Sequence, residues 1–153
     1  MRAVLFTVAI ISLLLVNDTA ADDFDAQAFA NAYFTAWTAT QSPDATEDDL
    51  ENYLSLLADD VGHQHLPYDT DDSRNPDGKQ AMREGMTFYL GKHIEYQATL
   101  VDIIYGLNAV AIQFEVSLKA RRSPDEPVME MSYNTMEVLE IEDGKVSMIR
   151  KYN

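Results

Sequence analysis

"VAIQFEVSLK", residues 110–119, decides how the rest of the chain is read. Val110, Ile112, Phe114, Val116 and Leu118 alternate with Ala111, Gln113, Glu115, Ser117 and Lys119, the period of a strand with one dry and one wetter face. Upstream, "IEYQATLVDIIY" (94–105) reads as a second strand, joined to it through Gly106 and Asn108. Downstream, "SPDEP" (123–127) turns the chain into a long strand from Val128 to Ile141, and Asp143 with Gly144 makes a hairpin into "KVSMIRKY" (145–152). Within the long strand Met129, Met131 and Tyr133 share one parity while Met136 and Val138 share the other, so a bulge is expected near Asn134.

Before residue 94 the period lengthens. Phe29, Tyr33, Ala36 and Trp37 recur at helical spacing between Asp22 and Thr40. "QSPDATEDD" (41–49) ends that helix, and Thr46 with Asp49 caps a second one, which carries Leu50, Tyr53, Leu54 and Leu57 and should end near Asp59. Asp77 and Gln80 open a third helix, with Met82, Met86, Tyr89 and Leu90 as its buried stripe and Gly91 as its stop. Helices followed by antiparallel strands, with no repeat and no second domain, argue an α+β fold.

The chain has 153 residues. Its start reads as an export signal: Arg2, the apolar run "AVLFTVAIISLLLV" (3–16), then "NDTAAD" (17–22) with small residues suited to cleavage after Ala21. That run is short for a membrane span, so the expectation is an exported protein, periplasmic or secreted, without stable membrane association after cleavage. Residues 22–153 then form one domain, long enough to bury a core. A net charge of -15 excludes nucleic acid as a natural partner, because phosphate binding needs a basic surface. The lack of any cysteine excludes disulfides, thiolate metal sites and thiol nucleophiles.

Chemistry concentrates in "DDVGHQHLPYDTDD" (59–72), where two of the three histidines stand one residue apart. On a strand His63 and His65 face the same side. Two readings follow from the residues alone: polar side chains at a pocket mouth, or a working pair. A pair of imidazoles at this spacing can bind one zinc-like ion, given a third ligand from His93, Asp69, Asp71 or Asp72. The string Ser73 to Glu84 places Asn75, Asp77 and Gly78 as a calcium loop would, but Ser73 lacks the usual first carboxylate, and a turn plus helix cap explains it more simply. Trp37, Tyr68, Tyr89 and Tyr133 suit a pocket for a flat apolar ligand as well as a plain core.

"NAYFTAW" (31–37), "LENYLSLLADDVGHQHLP" (50–67), "DGKQAMREGMTFY" (77–89) and "DGKVSMIRKY" (143–152), in this order and spacing, resemble the nuclear transport factor 2-like superfamily, in its SnoaL-like and ketosteroid-isomerase-like branch. The resemblance implies a cone, in which a strongly curved antiparallel sheet wraps against three helices around a mostly apolar pocket, and a homodimer paired through the open sheet. It also implies that His65 stands at or beside the position of a general-base Asp, and Tyr33 at that of an oxyanion-donating Tyr. A second acidic donor would fall near Asn134 to Met136, where this chain has none. The superfamily includes isomerases, cyclases, dehydratases, epoxide hydrolases and proteins without known catalysis, so function has to be argued from the site. The expectation is binding of a small apolar molecule, with isomerase, cyclase or dehydratase-type acid-base chemistry on a carbonyl-type substrate by His65 and Tyr33, contacts from His63 and the four aromatics, and neither cofactor nor resident metal. A non-catalytic ligand-binding or dimerising module, and a His-ligated metal site, are the competing readings.

Overall fold

The computed structural model describes residues 24–121, 123 and 125–153; the expected export segment lies outside them. Helix α1 (Ala26–Thr40) starts where the Asp25 side chain accepts from the Ala28 amide at 2.9 Å, and it buries Ala30, Tyr33, Ala36 and Trp37 at the expected spacing. Helix α2 (Glu47–Leu54) opens on the expected reciprocal cap, in which Thr46 and Asp49 each satisfy the other's backbone amide. It stops five residues earlier than its apolar run suggests, at Leu54. Leu57 has already joined strand β1 (Leu57–Leu66), drawn out of the helix by backbone pairing such as Val146 N–H to the Leu56 carbonyl at 2.9 Å.

After helix α3 (Gly78–Thr87) come β2 (His93–Tyr105), β3 (Ala109–Ala120), β4 (Met129–Glu142) and β5 (Lys145–Tyr152). The sheet is open, in the order β1-β5-β4-β3-β2. It is mixed rather than wholly antiparallel, because β1 runs parallel to β5 while the other neighbours are antiparallel. Asp143 and Gly144, both with positive φ, form the tight β4–β5 turn. Among the described residues no helix is long and apolar enough to cross a membrane.

The inward residues of β3 meet α1, with the Phe114 ring 5.0 Å from Trp37 and 5.5 Å from Phe34. Side chains of this size each contribute about 1.5–3 kcal/mol on full burial, which makes this contact the centre of the core. The bulge expected near Asn134 is absent: β3 and β4 pair without interruption from Ala109 opposite Glu140 to Ala120 opposite Met129. The irregularities fall instead between Leu57 and Gly62 in β1, at His93–Glu95 and Leu100–Asp102 in β2, and between Glu140 and Ile141 where β4 meets β5. An unbroken β4 puts Thr135, Glu137, Leu139 and Ile141 on the core side, and leaves Met136 and Val138 half-buried on the other. The change of parity therefore lies in the residue types and not in the backbone.

Helix α3 has no buried residue. Its first residue, Gly78, lies so close to β1 that an added Cβ would come within 2.3 Å of the Val61 carbonyl oxygen. It is also held by Met82 and Met86 against the core and by exposed ion pairs, Arg83 to Glu51 and Lys79 to Asp59, while Arg74 in the preceding loop bridges Asp60 and Glu142. Tyr89, expected in its buried stripe, lies past the end of the helix in the turn that follows and is 64% exposed.

Candidate functional site

Between α3, α1 and the β1 end of the sheet lies an open cavity of about 610 Å³. Trp37, Val61, Met82, Met86 and Ile149 give it apolar walls, Tyr53, His63, His65, Glu137 and Lys151 give it polar ones, and Asp69 and Asp71 stand with the loop residues that line it. The sheet register explains how these groups meet. Glu137 on β4 pairs with Lys151 on β5, and Lys151 pairs with His65 on β1, so carboxylate, ammonium and imidazole form one row across three adjacent strands. The next row is Leu139, Ile149 and His63. Alternation along β1 then turns both imidazoles to the same side.

Glu137 is 2% exposed. A buried carboxylate is costly unless it is paired and hydrogen-bonded. Here the Tyr33 hydroxyl donates to its Oε2 at 2.9 Å, and Lys151 Nζ lies 3.5 Å from Oε1. Because the one Tyr33 proton goes to Glu137, the Tyr53 hydroxyl at 3.1 Å donates to Tyr33, giving a relay from the cavity wall to the carboxylate. Burial first, and then the Glu137 charge, push the Tyr33 phenol well above its ordinary range and raise that of Tyr53 too, so both remain protonated donors.

Both site imidazoles are pushed below the ordinary histidine value. For His63 burial is the main cause, and Lys151 adds to it against an opposing pull from Glu137. For His65 the order of causes is again burial and then Lys151. At neutral pH each is therefore an uncharged imidazole with a lone pair to offer. Their situations differ. The His65 Nε2 faces the Asn153 amide nitrogen at 2.6 Å; that nitrogen can only donate, so Nε2 accepts and Nδ1 carries the proton. The His65 backbone is closed into a turn by its pairing with Asp69. Among the described residues the His63 ring has no hydrogen-bond partner and faces the open cavity.

Of the residues singled out in the sequence, the fold brings Trp37, His63, His65 and Tyr89 to the cavity wall. Tyr33 stands one layer behind it, Tyr133 packs against the core, and Tyr68 is 82% exposed, edge-on to His65. His93 lies apart on β2, with its Nδ1 2.9 Å from the Gln41 carbonyl. No three His, Asp or Glu side chains among the described residues gather to hold a metal ion. Sequence reasoning missed Glu137 and Lys151, the charged centre of the site. The available signal was the one Glu sharing its strand face with Thr135, Leu139 and Ile141, opposite a Lys across the hairpin.

The family model for the SnoaL-like domain matches residues 30–149. The chain belongs to the SnoaL-like family. Solved structures of similar fold include a cystatin-fold protein from Novosphingobium aromaticivorans (18% identity, 82% of this chain and 96% of that one, TM-score 0.61). A nuclear transport factor 2-like protein from Anabaena variabilis has 16% identity over 82% of this chain and 86% of that one, with a TM-score of 0.60. An LEH-like epoxide hydrolase from M. tuberculosis has 17% identity over 82% of each chain and a TM-score of 0.59. At such identities the likeness is one of fold: three helices on an open five-stranded sheet, of the cystatin or nuclear transport factor 2-like type. No curated protein matches the sequence. SnoaL-like domains are in general small-molecule binders, which fits a cavity of this size.

Proposed function

We propose that this SnoaL-like protein is exported, binds a small, largely apolar molecule in the cavity, and moves a proton on it, as an isomerase, cyclase or dehydratase does. One observation carries the reading: two neutral imidazoles stand on an apolar-walled cavity next to a buried carboxylate-ammonium pair. A general base needs a free lone pair and a pKa near or below the working pH. His63 meets both conditions with its ring open to the cavity, and His65, oriented by Asn153, is the neighbouring donor through Nδ1. Tyr33 enters as a positioning residue that fixes Glu137.

The test needs no known product. The protein is incubated in D2O with enolisable aryl ketones such as 2-acetonaphthone, and exchange of the protons next to the carbonyl is followed by NMR. Exchange should exceed the buffer rate and fall about a hundredfold or more in His63→Ala, with the thermal midpoint nearly unchanged. Binding of the ketone with exchange no faster than buffer would leave a non-catalytic binding module. N-terminal sequencing of the protein from its native host tests export, with a mature chain starting at Asp22 as the expected result.

A further inference from the structure

We propose that Lys151 receives the carbonyl oxygen of the bound molecule, so that the cavity selects neutral carbonyl compounds over hydrocarbons and over carboxylates. The inference rests on the cavity reading above and adds the side chain that holds the carbonyl oxygen.

An ammonium carries three N–H donors and is expensive to withdraw from water unless they are used. The Lys151 side chain is 13% exposed, yet its nearest carboxylate oxygen, Glu137 Oε1, is 3.5 Å away. Its other neighbours are the face of Trp37, with the ring centroid at 5.1 Å, and the imidazoles of His63 and His65, to neither of which it donates a hydrogen bond. None of these contacts is a hydrogen bond of normal length. The donors therefore remain for a group inside the cavity, which Lys151 lines. Tyr33, the phenol expected to serve such an oxygen, is spent on Glu137 and does not line the cavity.

The charges around Lys151 decide what that group is. Glu137 neutralises the ammonium, and Asp69 and Asp71 add negative charge among the lining residues. A full carboxylate meets this balance unfavourably, whereas a neutral carbonyl accepts a charge-assisted hydrogen bond without bringing a charge of its own. When His63 takes a proton from the adjacent carbon, the C–H electron pair becomes the new C=C bond, the carbonyl π pair moves to the oxygen, and Lys151 faces the enolate oxygen so formed.

Trp37 is the only tryptophan in the chain and lies on the cavity wall, so its fluorescence reports occupancy directly. Titration with 2-acetonaphthone, 2-ethylnaphthalene and 2-naphthoate compares ketone, hydrocarbon and carboxylate on one ring system. The ketone should bind about tenfold or more tighter than the hydrocarbon, and the carboxylate most weakly. In Lys151→Met the ketone should fall to the hydrocarbon's level while the hydrocarbon is unchanged. Because that variant strands Glu137, the double variant Lys151→Met with Glu137→Gln keeps the balance of charge and should give the same loss. Equal wild-type affinities for ketone and hydrocarbon, or a ketone preference that survives both variants, would overturn the assignment while leaving the cavity reading intact. So would a carboxylate that binds tightest. Absence of quenching by all three probes would overturn both.

Discussion

The two helical walls of the cavity are built on different principles. The α1–α2 wall is part of the core: Tyr33, Tyr53, Leu50 and Leu54 are each at most 3% exposed, and its polar atoms are tied into the Glu137 relay. The α3 wall buries no residue and is fastened by exposed ion pairs and by Met82 and Met86 resting against the core. Surface pairs of this kind contribute little to stability. One wall thus fixes the buried polar groups, and the other covers the cavity without setting the stability of the fold.

That contrast can be broken by mutation, and the largest effect should be in the core wall. Leu54→Ala should cost about 2–5 kcal/mol in chemical denaturation, because the site cannot collapse around the lost methyls. Met82→Ala on the cover should cost less than about 1.5 kcal/mol, since Met82 is only partly buried. Equal losses would show that α3 belongs to the cooperative core. Tyr33→Phe comes next, at about 1–3 kcal/mol, because Glu137 Oε2 and the Tyr53 hydroxyl both lose their partner. A fourth change should stabilise: Gly85 sits inside α3 where an added Cβ meets nothing, so Gly85→Ala should add about 0.5–1 kcal/mol. Loss of stability there would mean that the cover needs its glycine.

Acid should have the slightest effect, confined to the sheet side of the cavity. Folded His63 and His65 hold pKa values below the unfolded value of about 6.5, so the unfolded chain binds protons first as pH falls. Their contribution is fully present above that value and is lost as pH falls through the folded values. The slope of stability against pH below about 6.5 should therefore flatten in a His63→Gln, His65→Gln variant, read from denaturation midpoints in matched buffers.

Much of this arrangement could be read from periodicity. The alternation in 110–119, the Thr46–Asp49 cap and the Asp143–Gly144 turn are local signals, and the fold keeps each of them. The parallel pairing of β1 with β5 is not local, since it joins residues that only the whole sheet brings together. The Leu56–Leu57 run extended the expected second helix because apolar residues leaving a helix look like apolar residues continuing it. Glu137 was hidden for a related reason: Met136 and Val138, the apolar residues flanking it, suggested the wrong core parity, and an invented bulge restored consistency. The residues that defeat a hydrophobic pattern are those a binding site places on the inner face.

The register of β4 carries a wider implication. A carboxylate and an ammonium facing each other across β4 and β5 occupy places where a chain selected for folding alone would put leucine and methionine, and such replacements in other proteins are often neutral or stabilising by about 1–4 kcal/mol. A hardier version of this chain should therefore lie only two substitutions away, at the cost of the buried charge pair that faces the cavity.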